Sequence, residues 1–186
     1  MPRNIEIKAR IDSVQALLPR AVAVAGTQPV TIVQDDTFFR VPHGRLKLRE
    51  FADGSAELIH YHRADTGDAK ASDYVRVAVP DPAALREALA RGCGVLGRVR
   101  KVRLLLMARG GGFNTRIHLD RVEGLGDFVE LEVVLREDQT DADGAAVAEA
   151  LMVELGLGAA ERIAGAYLDL LQRDHAASSA GIAAAR

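Results

Sequence analysis

The chain has 186 residues, enough for one domain with a sizeable core. Apolar residues make up 48% and charged residues 27%, a mixture that excludes a disordered chain. Twenty-four Lys and Arg nearly match twenty-six Asp and Glu, giving a formal charge of −2, so net charge supplies no general attraction to nucleic acid or to a membrane. Cys93 is the single cysteine, which rules out an internal disulfide or a thiolate metal cluster and leaves a plain buried thiol as the expectation. The opening MPRNIEIKAR has no signal-like apolar run, and the longest clean one, LLLMA at Leu104–Ala108, is too short to cross a bilayer. A cytoplasmic location is expected.

Taken in chain order, IEIKARI alternates with the two-residue period of a strand, its Ile residues on one face and Glu6, Lys8 and Arg10 on the other. Asp12 followed by Gln15 predicts a capped short helix that ends near Pro19 or shortly beyond. A strand is expected over Val30–Arg40, then a turn at VPHG, then RLKLR, with Arg45, Lys47 and Arg49 on one face. The turn at Asp53 and Gly54 makes a hairpin with AELIHYHR, where Glu57, Ile59, Tyr61 and Arg63 share a face. The polar ADTGDAK precedes another strand, SDYVRVAV. Asp81 and Pro82 open a helix that ends around Gly92 and Gly94.

Gly97–Arg109 is long enough for one extended strand carrying Lys101 and Arg103, closed by Gly110, Gly111 and Gly112. NTRIHLDRV then places Arg116, His118 and Asp120 together, and DFVELEVVLR places Glu130 and Glu132 together. Two amphipathic helices, DADGAAVAEALMVELGLG and AAERIAGAYLDLLQ, are expected next, separated by Gly156 to Gly158. The domain is expected over residues 1–172, with 173–186 an Ala/Ser-rich tail that has little to bury and is prone to fray. The order of elements predicts α+β with a largely antiparallel sheet.

Alternating charge on one strand is what any half-exposed sheet shows. Here the cations recur on many strands: Lys8, Arg10, Arg45, Lys47, Arg49, Arg63, Lys101, Arg103 and Arg116. A closed sheet would turn them into a common wet lumen holding carboxylates and a polyanion, with the apolar residues outside under helices. Glu6, Glu130 and Glu132 are the counterparts, and their hard oxygens suit Mg²⁺ or Mn²⁺. Asp120 is open between ligand, base and ion-pair partner. His43, His60, His62, His118 and His175 have no standard metal-ligand spacing; His118 shares the face of Arg116 and Asp120, where a structural hydrogen bond is its expected use. Tyr61 and Tyr74 suit either a pocket wall or outer packing.

The segments NIEIKAR, GRLKLR, ELIHYHR, KASDY, KVR, TRIHLD, LGDFVELEV and AYLDLL, in that order, resemble the CYTH superfamily, the triphosphate-tunnel metalloenzymes, and most of all their class IV adenylate cyclase-like branch. The resemblance runs to about Gln172. Glu6 and Lys8 match the second Glu and the Lys of the family's ExExK signature, and Asn4 stands at its first Glu, where its amide oxygen remains a metal or water ligand. The resemblance implies an eight-stranded antiparallel β-barrel or tunnel flanked by helices, with Glu6, Glu130 and Glu132 as metal ligands. It also implies that Lys8, Arg49, Arg63, Lys101 and Arg103 bind triphosphate, with Arg116 a further phosphate contact and Asp120 an acid whose role follows the reaction. Dimers occur in the family. The expected substrate is ATP or another triphosphate. Adenylate cyclisation to cyclic AMP and pyrophosphate leads, hydrolysis of inorganic, thiamine or nucleoside triphosphate is the close rival, and a non-catalytic triphosphate-binding module is the third reading.

Overall fold

In the computed structural model, residues 3–63, 70–110 and 112–184 are described. Eight strands and four helices follow in the order β1 (Arg3–Ile11), α1 (Val14–Ala25), β2 (Val30–Phe39), β3 (Arg45–Phe51), β4 (Ala56–Arg63), β5 (Lys70–Ala78), α2 (Pro82–Cys93), β6 (Val95–Gly110), β7 (Phe113–Val122), β8 (Gly126–Leu135), α3 (Asp141–Glu154) and α4 (Tyr167–Ala184). Every pairing is antiparallel, and the order β1-β5-β4-β3-β2-β6-β7-β8 closes on itself through β1 and β8. The β1–β5 seam is short, from Arg3 opposite Asp73 to Glu6 opposite Lys70.

The barrel is inside out relative to a small packed barrel, as the alternation predicts. Apolar residues of β1, β6, β7 and β8, including Ile5, Ile7, Leu106, Ile117, Leu119, Leu131 and Val133, point outward into a buried core shared with Val14 and Ala21 of α1 and with Ala148 and Met152 of α3. Each large side chain in that layer contributes about 1.5–3 kcal/mol by leaving water. A smaller core under α2 joins Phe39, Leu48 and Ala56 to Leu85, Leu89 and the half-buried Cys93. A third closes one barrel end, where Phe38, Val99, Val122, Leu125 and Phe128 meet Ile163, Tyr167 and Leu168.

Three local expectations need correction. Ser13, not Asp12, caps α1, because its hydroxyl accepts from the Ala16 amide. The helix then runs through Pro19 to Gly26, whose left-handed φ of 66° ends it; packing against β6 and β7 outweighs the one amide that Pro19 cannot donate. The predicted last helix begins late, at Tyr167. A turn at residues 157–160 instead leads into a segment beside β1, where Ile163 donates its amide to the Lys8 carbonyl and Ala9 bridges to Arg162. Gly165, at φ 83°, turns the chain into α4, and Asp169 accepts from the Ala166 amide at the start of the helix. The backbone of α4 continues helically through residues 173–184, the segment read as a fraying tail. Most of ADTGDAK and the middle of the Gly110–Gly112 turn lie outside the described residues. Among the described residues no helix is long and apolar enough to cross a membrane.

Candidate functional site

The lumen is a cavity of about 370 Å³. Its lining includes seven basic side chains, Lys8, Lys47, Arg49, Arg76, Lys101, Arg103 and Arg116, and five acids, Glu6, Asp36, Glu57, Glu130 and Glu132. Strand register sets the layers. Across β1, β8 and β7, Glu6 lies opposite Glu132 and Glu132 opposite Arg116; one layer deeper, Lys8 lies opposite Glu130 and Glu130 opposite His118.

Two ion-pair clusters fill the interior. In the first, Glu130 takes Lys8 Nζ at 3.0 Å and Arg103 Nη2 at 2.6 Å, while Arg103 also forks onto Asp120 at 2.7 and 2.6 Å. Lys101 Nζ lies 3.4 Å from Asp120, and the Tyr167 hydroxyl donates to the same carboxylate at 2.9 Å. In the second, Asp36 receives Lys47 Nζ at 2.9 Å and the Arg49 fork at 2.7 and 2.7 Å. Near the β5 side, Arg116 donates to Glu132 at 2.9 Å, and the Asn4 amide nitrogen donates to the same carboxylate.

These groups are buried enough for their charges to matter. Burial would raise the carboxyls of Asp36, Asp120 and Glu130, but Lys47 and Arg49, Arg103 and Lys101, and Lys8 with His118 respectively hold them below the usual range. The lysines pay the complementary cost. Burial, with Arg103 beside it, brings Lys101 down to about 7, and burial with Arg49 beside it brings Lys47 down to about 8, each against the pull of its aspartate. Burial and Arg103 also push His118 down, and burial with Asp120 keeps the Tyr167 hydroxyl protonated. His118 is therefore a neutral imidazole at ordinary pH, with Nδ1 3.5 Å from Glu130.

Of the residues singled out from sequence, the lumen brings together Glu6, Lys8, Lys47, Arg49, Lys101, Arg103, Arg116, Glu130 and Glu132, and Asp120 lies fully buried behind Arg103. Two cations fall elsewhere. Arg10 turns out of the barrel end, over the Phe128 ring and onto the Leu125 carbonyl at 2.6 Å. Arg45 is tied to Asp169 of α4 at 2.8 Å. Both share a strand face with lumen residues but sit one layer too far along, where the sheet meets α4. The Arg63 side chain lies outside the described residues. Tyr61 and Tyr74 both line the cavity.

Sequence reading missed Asp36, Gln34, Arg76 and Tyr167. Asp36 was hidden by its neighbour, since Asp35 faces outward onto Arg98 and only the parity of β2 separates the two acids. Tyr167 reaches the lumen from a helix, which no strand periodicity reveals.

The donor set fits a hard divalent cation in its chemistry. Glu6 and Glu132 are direct cross-strand partners, and Asn4 Oδ1 is buried with no hydrogen-bond partner. Among the described residues no three Asp, Glu, His or Cys side chains converge as a metal centre, because Glu130 and Glu132 are drawn onto Lys8, Arg103 and Arg116.

A family profile decides the kinship: the CYTH domain matches residues 2–167. The chain belongs to the CYTH domain family. Solved structures share its fold. The PH1012 protein of Pyrococcus horikoshii is 23% identical with a TM-score of 0.77, over 90% of this chain and 99% of that one. A candidate adenylate cyclase from Vibrio parahaemolyticus is 21% identical, TM-score 0.71, over 91% and 97%. A candidate adenylyl cyclase from Hippeastrum with a dominant triphosphatase activity is 16% identical, TM-score 0.68, over 94% and 96%. At these identities the likeness is one of CYTH fold. No curated protein matches the sequence.

Proposed function

We propose that this CYTH protein is a divalent-metal-dependent enzyme that cleaves triphosphates inside the barrel, with hydrolysis of the terminal phosphate as its reaction. The observation that supports triphosphate processing is the crowding of seven basic side chains and five acids into one cavity, and hydrolysis rests on His118 beside Glu130. The lumen's carboxylates pair many of these cations, and the excess of basic groups suits an entering polyanion. Arg49 and Arg103 offer planar forks to phosphate oxygens, and Lys8, Lys47 and Lys101 offer compact charge. Glu6, Glu130 and Glu132, with Asn4 Oδ1, would hold Mg²⁺ or Mn²⁺, which supplies charge neutralisation on the phosphoryl oxygens. His118, neutral between Glu130 and Glu132, is placed to accept a proton from an attacking water.

Cyclisation of ATP is the second reading, favoured by Tyr74 and Phe51 in the lining, which offer aromatic surface to a nucleoside outside the phosphate layers. The two differ in which phosphorus meets which oxygen. A time-resolved product assay with ATP and with inorganic triphosphate, each in Mg²⁺ and in Mn²⁺, separates them. Orthophosphate with diphosphate is expected from inorganic triphosphate. Cyclic AMP with pyrophosphate from ATP would replace hydrolysis by cyclisation, and binding without product would make the protein a non-catalytic triphosphate-binding module. Glu130→Gln is expected to lower turnover by about 100-fold or more; equal rates in both proteins would assign the activity to a contaminant.

A further inference from the structure

Asp36 is the acid in the lumen that faces the phosphate-type donors of β3. Its side chain is buried and accepts from two cations: Lys47 Nζ on Oδ2, and Arg49 on both oxygens. The neighbourhood of Lys47 is otherwise hostile to an ammonium ion. Arg49 stands beside it on β3 and Arg103 faces it from β6, while β2 and β4 present the Phe38 and Tyr61 rings, each 5.5 Å away. A lysine so placed loses its proton more readily once that carboxylate is gone.

From this geometry we infer that Asp36 is a positioning residue for substrate binding: it fixes the Arg49 fork and keeps Lys47 charged in the empty lumen, ready to pass both donors to an entering triphosphate. This rests on the reading of the lumen as a triphosphate site. The anion takes over hydrogen bonds that Asp36 has pre-arranged, so the donors need little reorganisation on binding. Burial sets Lys47 at about 8 with Asp36 present; removing the carboxylate shifts that titration downward, towards neutral pH.

The test compares wild type with Asp36→Asn by two measurements. Lysine side-chain NMR follows the titration of Lys47, assigned by loss of its signal in Lys47→Arg. Calorimetry gives the affinity for inorganic triphosphate between pH 6 and pH 9. In Asp36→Asn the Lys47 titration is expected to fall by about one pH unit or more, and affinity at pH 8 relative to pH 6 by about fivefold or more beyond wild type. In the Lys47→Arg background, where position 47 keeps its charge across this pH range, most of that extra loss is expected to vanish. Asp36→Ser carries the same comparison if the Asn variant does not fold. An unmoved Lys47 titration, or superimposable affinity profiles, overturns the inference. Absence of triphosphate binding in wild type overturns instead the reading of the lumen, and the NMR arm still reports whether Asp36 holds Lys47.

Discussion

Buried charge in this barrel is organised by pairs whose partners come from different strands, and the consequence of losing one partner depends on what remains. Asp120 is the most enclosed example. Arg103, Lys101 and Tyr167 all reach it, and each satisfies part of a carboxylate with no exposure to solvent. Tyr167→Phe removes a hydrogen bond to a charged acceptor without creating a cavity, so unfolding in urea is expected to show a loss of about 1.5–3 kcal/mol. A change near zero would mean that water replaces the hydroxyl. Asp120 was legible as a candidate because its parity on β7 matched Arg116 and His118. Its tie to Tyr167 was not, since 47 residues and a change of secondary structure separate the two.

Helices reach the site through the backs of the strands. Gly144 on α3 packs so closely that an added Cβ would lie 2.7 Å from Leu135 Cδ2 and 2.8 Å from Ile5 Cγ1. Ile5 stands between Asn4 and Glu6, and Leu135 ends the strand that carries Glu130 and Glu132. Helix propensity alone favours Gly144→Ala by about 1 kcal/mol. Overpacking opposes it by about 1–3 kcal/mol, so the variant is expected to unfold at lower urea concentration than wild type. Higher stability would show that α3 can move away from the sheet freely. The sequence pattern revealed that a helix lies here; it carried no signal for how near its axis approaches β1 and β8, because Gly144 has no side chain to contribute to a hydrophobic face.

At the scale of the whole molecule, near-neutral net charge conceals a segregated charge distribution. The lumen gathers seven basic and five acidic side chains, an excess of cations within a chain of formal charge −2. Triphosphate bound inside therefore stabilises the folded chain by mass action, by about 2.7 kcal/mol at a hundred times its dissociation constant. Thermal unfolding followed with increasing inorganic triphosphate is expected to show a midpoint that keeps rising with concentration. The effect should weaken as pH rises through about 7 and 8, where Lys101 and then Lys47 lose their protons. A midpoint indifferent to triphosphate would place the polyanion site elsewhere.

The strands, their order between the helices, and the choice of which face is charged were all readable from the chain, because period-two alternation records on every strand which side meets water and which meets apolar cover. Closure of the sheet determined what that charged face is: with β1 paired to both β5 and β8, nine of the predicted acidic and basic side chains face one cavity. Alternation fixes a face but not a position along the barrel axis. Register and the docking of α4 alone therefore decided that Lys8 and Lys47 lie within the lumen while Arg10 and Arg45, two residues along the same faces, serve the barrel end.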